Sequence, residues 1–559
     1  MNDILRLFVL LAAAVPALAA DLPLGHKDFY PSPQRPVGWR GDGSGAFPGA
    51  TPVAEWDGAA GKNVVWKVAM PGPSFSQPVV VGDKVFTLAD PNLLICVSAI
   101  DGKVLWQKAV DHTTKMPPDM ATQAREAQKF WDALFRQYSL WADLDRPLVP
   151  LKGIAQSELD AMRRAAEEHG FSINRPGQAN FDMIKRGDPL LKRTLEDQAK
   201  FSLYNFGHWE GILTHTFATP VSDGKHVWVN MSNDQVACYD LAGKCVWLVW
   251  DRPKSIRPGE HHVRYAMSPI LVGEMLIVFA AGEMRAYEKA TGKKLWGVEH
   301  KKDFGAYWVK VGTPRHMRLS LDGKPFDVIL SPGSGVYRVA DGKLVGSVPD
   351  VHGYEGSTAL VSGDVLVRKG APDSGEAHRL ACRFKATGPD VVTFETVWDN
   401  LVKKSGNTTD ILFDGKIWCP QGGTITDWST GKEVPMALGR VRDSSPSLGG
   451  RLIIAIAGGG YGEREKAPGT CSATVISLDD PSKATAIKAA FSDQRYAEDQ
   501  EFRLRWRWRG NGSSMSNSSP IFAANRMFFR TVGYLWCIGD PKDPWATPAN
   551  CPPEARVAK

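Results

Sequence analysis

The chain has 559 residues, 43 % of them hydrophobic and 23 % charged, which is enough apolar material for a large buried core and excludes a disordered protein. Its 67 basic and 61 acidic residues leave a net charge of +6 spread along the length, which excludes the concentrated basic face of a nucleic-acid binder. After residue 20 no apolar run reaches the roughly 18 residues that a membrane-crossing helix needs.

Residues 1–20 read as a signal peptide, with Arg6 in the n-region, an apolar stretch from Leu5 to Ala13, and Ala17-Leu18-Ala19 as the small-x-small cleavage pattern. The expected location is therefore periplasmic or secreted, and no cysteine stands at the junction to carry a lipid. Residues 21–62 form an N-terminal extension that contains Gly38-Trp39-Arg40-Gly41-Asp42-Gly43. The Arg-Gly-Asp tripeptide within it matches a cell-adhesion signal, and chance is the better explanation.

A repeating unit begins at Ser74. It opens with Ser or Thr and often Pro, continues as an apolar strand, turns at Gly, and ends in a Gly-Lys turn followed by an apolar run with Trp. Three copies are clear: Ser74–Trp106, His215–Trp247 and Arg264–Trp296. Weaker copies start at Gly312, Gly356, Asn407, Ser444 and Ser518. Eight copies predict an all-β, eight-bladed β-propeller of four-stranded antiparallel blades, because a lone four-stranded sheet cannot bury both faces and a closed ring can. Glycine in each Gly-Lys turn supplies the positive φ of a tight hairpin. The Trp after it, at Trp66, Trp106, Trp247 and Trp296, is expected to dock on the next blade with its N–H on a backbone acceptor.

Between the first two copies the period changes. Residues 111–213 are assigned to a helical insert, with Phe130, Leu134 and Tyr138 at helical spacing and a second helix capped by Ser157 and stopped at Gly170. Leu190 to Phe201 offers a third helix. The propeller then comprises residues 63–110 and 214–541, followed by a tail, 542–559. The last copy lacks an outer strand, and Asn63–Val68 looks like an outer strand with no blade before it. The simplest reading is that this N-terminal strand completes blade eight. Arg503 to Arg509 alternates Arg with Leu and Trp, which predicts a strand with Trp506 and Trp508 on one face and a solvated cationic face opposite. The sharper alternative is a phosphate or polysaccharide contact.

Eight cysteines in an exported chain raise the question of disulfides. Equivalent positions on different blades cannot bridge, so most read as buried thiols. Two local pairs remain open, Cys238 with Cys245 and Cys537 with Cys551.

The turns IDGKVLW and ATGKKLW, with the N-terminal Gly38–Gly43 stretch, resemble the PQQ-binding-like (pyrroloquinoline quinone repeat) β-propeller proteins, over roughly residues 38 to 540. That family includes quinoprotein alcohol dehydrogenases and the propeller lipoprotein of the outer-membrane assembly machinery. The dehydrogenases resemble one another in a vicinal Cys pair over the cofactor, and no two cysteines are adjacent here. No Cys-x-x-Cys-His is present to attach a haem.

Ligands of propellers usually sit where inner strands begin. The candidate funnel residues are therefore His215, His262, Arg264, Tyr265, Trp308, Glu355, Asn407, Arg442, Asp443 and Asn517, a polar, aromatic and cationic set suited to an anionic or sugar-like ligand. The expected function is an exported, non-catalytic binding or scaffold propeller for a protein or carbohydrate partner, without a cofactor. The alternative is a PQQ- and calcium-dependent alcohol or sugar dehydrogenase.

Overall fold

A computed structural model describes residues 22–145, 150–168, 216–231, 235–251, 267–280, 283–299, 312–331, 335–348, 358–370, 377–402, 408–439, 444–457, 469–510 and 518–557. Eight antiparallel sheets follow one another along the chain. Blade one shows the plan: Val79–Val81, Lys84–Ala89, Leu93–Ser98 and Val104–Ala109 pair in order from the inside outwards. The two middle strands are buried almost throughout, which is why they read as continuous apolar runs, while the outer strand is half-exposed.

The ring closes with strands from both ends of the chain. Val64–Ala69 pairs with Tyr534–Ile538 and supplies the outer strand of blade eight. A second N-terminal strand, Ala46–Phe47, adds in parallel to the inner strand of blade seven, Ser447–Gly449, so that this sheet has five strands.

Successive blades are joined by one repeated device. The indole Nε1 atoms of Trp66, Trp106, Trp247, Trp296 and Trp398 donate to the backbone oxygens of Ala99, Leu241, Lys289, Val339 and Trp428 on the following blade, at 2.9 to 3.3 Å. Each ring rests on the Gly-Lys turn of that blade. A Cβ on Gly102, Gly243, Gly292, Gly342 or Gly431 would stand within 2.9 Å of it. In each of these five strands the register slips by one residue immediately before the tryptophan. Such a bulge re-aims the side chain towards the neighbour instead of along its own sheet.

Blade four has Gly346 where the tryptophan would stand, and its junction with blade five is built differently. Blade five extends its outer hairpin to Ala377–Gly388 and Val391–Val402. The backbone of Val392 then lies over Gly346, whose Cβ would be 2.6 Å from the Val392 oxygen. Arg338 of blade four binds Pro389 O and Asp390 at the hairpin tip, at 2.5 and 2.9 Å.

Among the described residues, four α-helices lie in connections from an outer strand to the next inner strand, on one side of the ring: α1 (Pro118–Asp145), α2 (Gln156–Glu168), α3 (Arg495–Glu498) and α4 (Gln500–Gly510). Two expectations need correction. Residues 503–509 form a helix, not a strand, because Arg503 and Trp506 share a helical face that packs inwards. Arg503 meets Asp143 of α1 at 3.1 Å with both side chains buried, and Trp506 donates to Pro71 O. Ser157 lies inside α2, which begins at Gln156. Gly170 and the third helix at 190–201 fall outside the described residues, as do the signal peptide and Trp308. All eight cysteines are free thiols, so neither open pair is bridged.

Candidate functional site

The sequence places Ser or Thr two residues before most inner strands, and the structure gives the reason. At this level the backbone N–H of one blade donates to a hydroxyl of the next. Gln77 N donates to Thr219 Oγ1 and Thr219 N to Ser268 Oγ. Further round, Thr313 N donates to Thr358, Thr358 N to Thr409, and Thr409 N to Ser445, each at 2.9 Å. These backbone donors have no strand partner at the end of an inner strand, so the hydroxyl girdle satisfies groups that would otherwise be buried and unpaired.

Inside the girdle lies the N-terminal extension. Val37 runs antiparallel to the inner strand of blade two at Ser222, and Ala46–Phe47 returns parallel to that of blade seven. The chain therefore rises into the channel and descends again, with its tip at Arg40–Ser44, level with the starts of the inner strands. The turn requires left-handed backbone at Arg40, Gly41, Gly43 and Gly45, with φ of 52°, 74°, 89° and 74°. Arg40 is fully buried. Its N–H donates to Gln77 Oε1 of blade one, Nη1 to Thr409 O of blade six at 2.6 Å, and Nη2 to Pro446 O ahead of blade seven at 2.7 Å. Arg315, the first residue of the inner strand of blade four, donates to Asp42 O. Contacts with blades one, two, four, six and seven place this loop on the ring axis, so the chain itself stops the channel. Asp42 faces solvent at the tip and accepts from Ser44 N.

Electrostatics follow from this burial. Desolvation pulls the Arg40 guanidinium down to about 9, since its acceptors are neutral carbonyls, with Arg315 adding repulsion. Burial alone would raise the Asp410 carboxyl, but Lys369 at 3.1 Å and Arg379 at 2.9 Å hold it below the usual range. The Arg-Gly-Asp tripeptide is thus a stopper whose arginine is inaccessible.

All ten funnel candidates lie outside the described residues: His215, His262, Arg264, Tyr265, Trp308, Glu355, Asn407, Arg442, Asp443 and Asn517. Around the axis, the described residues do not fit a calcium-bound quinone. Calcium takes six or more oxygens, several from carboxylates. Here the girdle hydroxyls are committed to neighbouring backbones, Asp410 is held by two cations, and a guanidinium fills the centre.

On the funnel side the helices form a cap over blades seven, eight and one. The buried Arg503–Asp143 pair is reinforced by a bidentate Arg136–Glu501 contact at 2.5 and 2.8 Å, and Gln500 exchanges two hydrogen bonds with the backbone of Lys152. Sequence reading found α1 but missed its partner α4, and it used the Gly38–Gly43 stretch only for its family resemblance, without a structural role for Arg40. The cue present in the sequence was the glycine at every second position from 41 to 45.

A family model described as outer membrane protein assembly factor BamB matches residues 50–137 and 206–389. Among solved structures, BamB from Moraxella catarrhalis is similar at 10 % identity and a TM-score of 0.41, covering 85 % of this chain and 99 % of its own. The quinohemoprotein alcohol dehydrogenase ADHIIG from Pseudomonas putida HK5 is similar at 10 % identity and a TM-score of 0.36, covering 95 % and 84 %. The quinohemoprotein alcohol dehydrogenase from Comamonas testosteroni is similar at 8 % identity and 0.35, covering 92 % and 82 %. No curated protein matches the sequence.

Proposed function

This chain belongs to the PQQ-like repeat propellers, and from that premise we propose that it is an exported, non-catalytic scaffold that binds a protein partner in the periplasm or outside the cell. The observation that carries this reading is the stopped channel. Arg40 and its glycine loop occupy the axis and tie several blades together, so the centre serves the rigidity of the ring. The matching family model is named for an assembly factor, a role in which a propeller presents its surface to other polypeptides. The helical cap, held together by the Arg503–Asp143 pair and tied to the ring by Trp506 on Pro71 O, gives this chain such a surface on the funnel side. Outer strands also expose single aliphatic residues at the rim, among them Val246, Leu295 and Leu344 on blades two, three and four.

The test is site-specific photo-cross-linking in the native host, from Gln123 on the exposed face of α1 and from Leu344 on the rim. One discrete partner that is lost when α1 is removed supports the scaffold. Cross-links to no polypeptide from either position, together with dye-linked alcohol oxidation by the PQQ- and calcium-loaded protein, would replace it with the dehydrogenase reading.

A further inference from the structure

We propose that the floor of the funnel is an oxyanion site, in which Arg315 receives a carboxylate or phosphate group beside the Arg40–Gly45 loop. Among the described residues the Arg315 side chain makes one hydrogen bond, to the main-chain oxygen of Asp42 at 3.2 Å, and its buried Nε has no acceptor. Among the described residues no carboxylate oxygen lies within ion-pair distance of it. Arg40 is fully buried on neutral carbonyls, and its Nε is also without an acceptor.

Both guanidiniums press on the same loop. A Cβ at Gly43 would fall 1.4 Å from Arg315 Nη1, and one at Gly45 would fall 1.9 Å from Arg40 Nη2. Two like charges therefore share a confined space. The nearest carboxylates offset this charge only from a distance: Asp410 acts on Arg40 but is paired with Lys369 and Arg379, and Asp42 acts on both arginines without an ion pair to either. Guanidiniums left without a direct counter-ion in a desolvated site are costly, and a planar oxyanion matches their donor fork. Arg315 is only half-buried and the tip residue Asp42 is exposed, so an anion entering from the funnel can reach it. The anionic group belongs either to a free small ion or to the carboxylate of a polypeptide.

The experiment is calorimetry on the mature protein at constant ionic strength with three probes: inorganic phosphate, citrate, and an acidic pentapeptide with a free C-terminus. We expect saturable one-to-one binding of at least one probe, weakened roughly tenfold or more by Arg315→Gln through loss of a charge-assisted pair. Asp42→Asn removes the competing carboxylate and should tighten binding a few-fold, a gain that general damage to the fold does not produce. Phosphate or citrate binding identifies a free-ion site, and peptide binding alone identifies a polypeptide carboxylate. If Arg315→Gln does not fold, Arg315→Lys retains the charge without the fork and should bind more weakly than the wild type. No saturable binding of any probe, or equal binding by the wild type and the Arg315 variant, would overturn the proposal.

Discussion

Trp247 rests on Gly292 of the next blade, so closely that a Cβ there would lie 2.7 Å from the indole, while Nε1 donates to Lys289 O at 2.9 Å. Size, bulge, glycine and acceptor act together. Trp247→Phe keeps the ring and loses the hydrogen bond, and should cost about 1 kcal/mol. Trp247→Ala also empties the site and should cost about 3 kcal/mol or more. Gly292→Ala meets both a positive φ of 75° and the ring. Denaturant melts of the two alanine variants and their double mutant should reveal strong coupling, because either change alone already breaks the contact.

The hydroxyl girdle makes a separate prediction. Thr358→Val keeps volume but removes the acceptor of Thr313 N, and Val cannot replace it. A buried N–H left unpaired costs about 1–3 kcal/mol. Thr358→Ser retains the hydroxyl and should melt within a few degrees of the wild type, so the pair of variants separates the hydrogen bond from side-chain volume.

Arg503 and Asp143 form a buried pair between α4 and α1. Asp143→Ala leaves Arg503 without that counter-charge, a loss of about 3–5 kcal/mol at a fully buried site. We expect hydrogen exchange to accelerate in 118–145 and 500–510 while amides of the blade-three strands keep their protection. Uniform acceleration over the whole ring would show that the cap is part of the cooperative core.

His316 gives the pH dependence. Burial holds its imidazole below the ordinary value of 6.5 despite the adjacent Asp327 carboxylate, 2.7 Å away. The unfolded chain therefore binds more protons than the folded one just below pH 6.5, and stability falls as pH drops from 6.5 towards the folded value. His316→Gln should flatten that part of the profile. A wild-type melting temperature that rises on acidification through this window would contradict the assignment.

These relationships show which features the sequence could reveal. Blade number, strand order and the closing strand Val64–Ala69 were legible because each blade repeats the same alternation and the same Gly-Lys turn. Gly346 hid the blade-four junction, since its replacement is a hairpin paired over 12 residues per strand rather than a side chain. The Arg503–Arg509 stretch misled because its arginines alternate with Leu and Trp, which satisfies a period of two. The helix wins through tertiary packing, with Arg503 on Asp143 and Trp506 on Pro71 O. Arg40 was illegible for a related reason: nothing local says that a glycine loop will be threaded into an axis formed by residues hundreds of positions away.

The most direct test of a stopped, non-catalytic channel is titration of the purified mature protein with PQQ, with and without calcium, followed by calorimetry and absorbance. With Arg40 on the axis and Asp410 already paired, we expect no calcium effect and no tight one-to-one complex, any binding of PQQ being the weak, calcium-independent association of its carboxylates with Arg315. Tight, calcium-dependent, one-to-one binding would contradict the scaffold and make the funnel a quinoprotein active site.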